Sequence, residues 1–97
     1  MLDLSKHTNK YSLIWFDKQE LHLDMPSQEL LLKIMKLERV ENEAEQFEML
    51  IDILGDILNK NDEGRVFTKE EIKSIPLNII ELIFTDYVNS INQSLGE

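Results

Sequence analysis

Apolar residues recur along this chain with two different periods, and the change of period separates a short extended part from a longer helical one. The runs "YSLIWF" (11–16) and "ELHLD" (20–24) are aromatic or β-branched, partly alternating, and separated by "DKQ", which predicts a β-hairpin. In the second run Leu21 and Leu23 share a face and His22 opposes them. A lone hairpin is marginal in water, so this one is expected to lie on an apolar layer.

From Pro26 onward the period lengthens. "DMPSQELLLKIMKLERV" places Pro26 or Ser27 at a helix start and a favourable Glu29–Lys33 spacing inside it, predicting a helix over 27–40. Leu30, Leu31, Ile34 and Leu37 fall on one side, with Val40 at the edge, whereas Leu32 and Met35 do not. Asn42 followed by Glu45 resembles a helix cap, so the pattern allows a break near 41–42 or one continuous helix through 27–59.

The next stripe runs through Phe47, Leu50, Ile51, Leu54, Ile57 and Leu58, with Glu45, Glu48, Asp52 and Asp56 opposite and Met49 off it. Gly55 inside this helix costs about 1 kcal/mol relative to alanine, and permits a close helix contact. "TKEE" (68–71) is a capping box that starts a short turn to about Ser74, and Pro76 restarts the chain. In the last segment Leu77, Ile80, Phe84, Tyr87, Val88, Ile91 and Leu95 share a face, while Ile79 and Leu82 point elsewhere. The expected fold is α+β and mainly α: an N-terminal hairpin packed on a bundle of three to four helices. Residues 1–10 are expected as a flexible arm and 11–97 as a single domain, with no internal repeat or linker.

Composition narrows the function classes. Hydrophobic residues make up 42% of the 97 and charged residues 30%, a balance that supports an ordered core. The formal net charge of −9, with scattered lysines, argues against binding nucleic acid. Apolar runs such as "LLL" (30–32) fall far short of the ~20 residues that span a bilayer, and no signal peptide is evident, so a cytoplasmic protein without membrane contact is expected. Zero cysteines removes disulfides, thiol catalysis and cysteine-bound zinc.

Candidate chemistry is sparse. "NKNDEGRVFTKEE" (59–71) has the layout of a calcium loop: Asn59, Asn61, Glu63 and Glu70 stand at ligand positions 1, 3, 5 and 12, with Gly64 at 6. Asn59 supplies one oxygen without the anion usual at position 1, and Phe67 at position 9 supplies none. A polar turn joining two helices accounts for the same residues. His7 and His22 lack any partner motif and are expected to be exposed, and no nucleophile elbow, phosphate loop or dinucleotide fingerprint is present. An enzyme is therefore not expected, nor any cofactor. The five acids between Glu38 and Glu48 read as a solvated face, or as a surface for a basic partner. Leu32, Met35, Met49, Ile79 and Leu82, outside the core arcs of their helices, are the candidate partner-binding residues.

In order and pattern, the pieces "YSLIWFDKQELHLDMP", "EQFEMLIDILGDILN" and "FTKEEIKSIPLNIIELIFTDYVNSIN", covering about 11–92, resemble the tail assembly chaperones of long-tailed phages and prophages of Gram-positive bacteria. The resemblance implies a non-catalytic factor in the host cytoplasm that coats the tape measure protein, recruits tail-tube protein and is absent from the mature virion. It also implies self-association as a homo-oligomer and a longer frameshifted product, but fixes no site residues. The alternatives are a small calcium-binding module using 59–70 and an acidic decoy of a host nucleic-acid-binding protein.

Overall fold

The computed structural model describes residues 1–4 and 10–95, with side chains through Asn92. Six elements follow one another: β1 (Lys10–Ile14), β2 (Glu20–Asp24), α1 (Gln28–Leu37), α2 (Glu43–Leu58), α3 (Lys69–Lys73) and α4 (Leu77–Leu95). The expected hairpin and mainly helical α+β class are both present. His7 and residues 5–9 of the arm expected over 1–10 fall outside those described, while Lys10 already belongs to β1.

β1 and β2 pair antiparallel with Tyr11 opposite Leu23 and Leu13 opposite Leu21. One face of the hairpin therefore carries Tyr11, Leu13, Leu21 and Leu23, of which all but Leu13 are fully buried. Its turn is a three-residue loop closed by Lys18 N–H to Trp15 O (2.9 Å) and Trp15 N–H to Gln19 O (2.8 Å). Lys18 adopts the left-handed conformation that such a loop requires, at φ 72°.

The starts of α1, α2 and α3 are each fixed by a side chain close in sequence. Ser27 Oγ accepts from Leu30 N, Asn42 Oδ1 from Glu45 N, and Thr68 Oγ1 from Glu71 N, at 3.2, 3.1 and 3.1 Å. The cap at Asn42 makes 27–59 two helices, and α1 stops at Leu37 rather than at residue 40. Gln46 of α2 donates to the carbonyl of Leu37 at 3.3 Å, which satisfies one of the acceptors left over at the end of α1. Lys33 reaches across to Asp56 of α2 (3.3 Å), a partner on another helix instead of the Glu29 one turn away.

The core centres on α2, which packs against α1, α3 and β2. Neighbours on several sides widen its buried arc: Ile53 and Leu58, about 140° apart at the helical period, are both buried. Ile53 was not expected inside. Phe47 was, yet it is 43% exposed, within a stretch of α2, 43–48, whose residues are all exposed. In α4 the buried set is Ile80, Ile83, Tyr87 and Ile91; Ile83 replaces Leu77, which is 46% exposed. A side chain built at Gly55 would place Cβ 3.4 Å from Ile72 Cδ1, so α3 does lie close against this point of α2.

Candidate functional site

The loop from Asn59 to Thr68 is the most motif-like part of the sequence, and its polar atoms are occupied by the protein itself. Asn59 brackets Phe67, accepting from its N–H (2.7 Å) and donating to its carbonyl (3.1 Å). Asn61 donates to the carbonyls of Leu58 (2.8 Å) and Arg65 (2.7 Å) and accepts from Arg65 N–H (2.8 Å). Glu63 accepts from His22 N–H and meets His22 Nδ1, both at 2.8 Å. Glu70 lies apart from these, exposed in the first turn of α3. The oxygens thus face separate backbone amides rather than a common centre, and Phe67 is a buried core residue. Among the described residues no group of three or more His, Cys, Asp and Glu is placed to hold a metal ion.

What the loop does instead is seal one edge of the hairpin. Asn61 bridges to Leu23; Asp62 N–H bonds His22 O at 2.9 Å and Asp24 N–H bonds Lys60 O at 3.4 Å. Lys10 ion-pairs with Asp24 and, at 3.2 Å, with Asp62. His22, expected to be exposed, is half-buried between Glu63 and Glu20, whose Oε1 lies 3.3 Å from Nε2. The hydrogen bond that the imidazole donates to Glu63 holds it above its ordinary pKa, and the same bond holds the Glu63 carboxyl below its own.

On the opposite side of β1 lies an apolar groove of about 240 Å³, lined by Leu13, Ile14, Trp15 and Phe16 of the hairpin and Ile79, Leu82 and Ile83 of α4. Ile14, Phe16 and Leu82 are 68, 61 and 65% exposed, an unusual concentration of bare apolar surface at one place. The wall at Trp15 is rigidly backed: its ring meets Phe67 edge-on at 4.8 Å, and the Arg65 guanidinium lies 5.7 Å from the Trp15 ring and 5.0 Å from that of Phe67. Arg65 is itself held by Asp17 (2.8 Å) and Gln19 (2.7 Å).

Of the five candidate contact residues, the structure brings Ile79 and Leu82 together in this groove. Leu32 and Met35 are exposed one turn apart on the outward face of α1 and do not line it; Met49 is half-buried against the core. The hairpin half of the groove was missed. Its signal is the uninterrupted run Leu13–Phe16, since a strand that is apolar on both faces cannot bury both in a two-stranded sheet with helices on one side. No helix of the described residues is long and apolar enough to cross a membrane. Comparison with protein-family models, with curated proteins and with solved structures finds no match to this chain.

Proposed function

We propose that this protein is a non-catalytic, protein-binding assembly factor, and that the groove between β1 and α4 receives an apolar segment of its client. The observation that carries this reading is the groove itself: a concave surface with three large apolar side chains more than half exposed, on a chain of net charge −9. Bare apolar surface attracts a protein partner, while the solvated acids keep the pair dispersed. Glu38, Glu41, Glu43, Glu45 and Glu48 all stand in solvent, as that second role needs.

The client that the sequence resemblance implies is a phage tape measure protein, with tail-tube protein as the subunit recruited next, in the cytoplasm of the infected bacterium. Co-expression with the tape measure protein encoded in the same genome tests this. Co-purification with the native chain, lost on Leu82→Asp with helical circular dichroism retained, is the expected result. Failure of the native chain to retain the tape measure protein would overturn the assignment.

A further inference from the structure

The two edges of the hairpin are treated differently, and the difference defines how a client would dock. Trp15 N–H bonds Gln19 O, so by antiparallel alternation Leu13 bonds Leu21 and Tyr11 bonds Leu23 across the hairpin. The backbone of His22 and Asp24 consequently points away from β1, where the His22 N–H and C=O bond the Glu63 side chain and Asp62 N–H, and the Asp24 N–H and C=O bond Lys60 O and the Tyr87 hydroxyl. By the same alternation Ser12 and Ile14 turn their N–H and C=O groups outward on the opposite edge. Among the described residues nothing bonds to them, and both residues are exposed.

The groove borders that open edge, because its lining comes from β1, the turn and α4 and includes no residue of β2. An extended chain laid along β1 would find unpaired backbone groups at Ser12 and Ile14 and, beneath it, the apolar floor of Ile79, Leu82 and Ile83. A docked helix would leave those backbone groups bare, since its own amides are bonded internally.

We infer that the open edge of β1 is a strand-addition site, which takes an extended segment of a partner protein with apolar side chains at alternate positions. The inference rests on the reading of this groove as a client surface. Alternate side chains of the added strand enter the groove over Leu82, and those between them lie along Ile14 and Phe16.

A displayed library of random octapeptides, selected against the full chain, supplies the probe. Expected binders carry apolar residues at i, i+2 and i+4, and lose more than tenfold in affinity when N-methylated at alternate amides in one register. Ile14→Pro should abolish their binding while the hairpin persists, because proline is tolerated where the N–H faces outward. Should that variant fail to fold, the N-methylated peptides on the native chain decide alone. Binders with i, i+3, i+4 spacing that survive N-methylation, or the lack of any binder blocked by Leu82→Asp, would overturn strand addition. A native dimer in sedimentation that Ile14→Pro makes monomeric would assign the edge to a second copy and overturn the foreign segment. Tape measure capture is read separately, by co-purification with the native chain, so the two readings can fail separately.

Discussion

Tyr87 donates its phenolic hydrogen to the backbone carbonyl of Asp24 across 2.8 Å, fastening the middle of α4 to the last residue of β2. Beside it Tyr11, edge-on to Tyr87 at 5.3 Å and 79°, donates to Asp86. Burial, aided by the nearby Asp24 charge, pushes the Tyr87 phenol up to about 12, so it stays a neutral donor throughout the physiological range. The pair of tyrosines sets the distance between β1 and α4, and with it the far end of the groove.

Tyr87→Phe therefore removes one buried donor and leaves the Asp24 carbonyl without it. A loss of about 1 kcal/mol in urea denaturation is expected, the net worth of one intramolecular hydrogen bond whose acceptor lies on an exposed residue. A loss near zero would mean that solvent reaches the carbonyl without strain.

The His22–Glu63 contact makes the stability of the sealed edge depend on pH in two directions. His22 is raised from 6.5, chiefly by the hydrogen bond to Glu63, so its contribution is complete below pH 6.5 and fades as pH rises through the folded-state value. Glu63 is lowered from 4.5, chiefly by the same bond, so its contribution is complete above pH 4.5 and fades as pH falls through the depressed value. Between those limits the contact is strongest. The difference in melting temperature between native chain and His22→Gln should peak inside that window and shrink on both sides. A difference independent of pH would exclude an ionic contribution.

Two left-handed residues predict opposite responses. Lys18, at φ 72° in the hairpin turn, carries a side chain where glycine is favoured, so Lys18→Gly should stabilise by about 1 kcal/mol. Gly64 has the same φ of 72° with nothing within 4 Å of a built Cβ, so Gly64→Ala should destabilise by about 1 kcal/mol through backbone strain alone. Denaturant midpoints for the two variants, read against the native chain, check both signs.

Asn61 is the organiser of the connecting loop, and its replacement should be costly. Asn61→Ala removes three hydrogen bonds and unseats the bridge to Leu23, for an expected loss of about 2–3 kcal/mol. Since the Asn59 and Asn61 oxygens already accept from Phe67 and Arg65, calcium titrated to millimolar levels should release no heat and leave the melting temperature unchanged. A calcium-dependent rise would show that the loop can exchange its internal bonds for an ion.

The features legible in the sequence were those decided within a few residues. Ser27, Asn42 and Thr68 cap their helices because a short polar side chain and the amide three residues on meet whatever surrounds them. Burial was read less well where it depends on neighbours: Ile53 is inside because α2 packs against α1, α3 and β2, Ile83 is buried in α4 although the stripe omits it, and Phe47 is exposed although the stripe includes it. The oxygens of Asn59 and Asn61 suit a cation or an amide equally, and only the approach of Phe67 and Arg65 decides between them. The groove was half legible, since Ile79 and Leu82 leave the α4 stripe in sequence but Trp15 and Phe16 meet them only through the fold.

Separation of the five candidate contact residues leads to the last prediction. Leu82 is 65% exposed in the groove, whereas Met35 is 52% exposed on α1 and does not line it. Neither side chain contributes much to the core, so Leu82→Asp and Met35→Asp should each leave stability within about 0.5 kcal/mol of native. Their effects on a groove ligand should differ: a carboxylate at Leu82 sits in the apolar floor and must be desolvated by anything that covers it, while one at Met35 remains in water. Peptide affinity measured by titration should fall more than tenfold for Leu82→Asp and by less than twofold for Met35→Asp. Equal losses would mean that the ligand spans both surfaces, and an effect of Met35→Asp alone would move the client site to the outward face of α1.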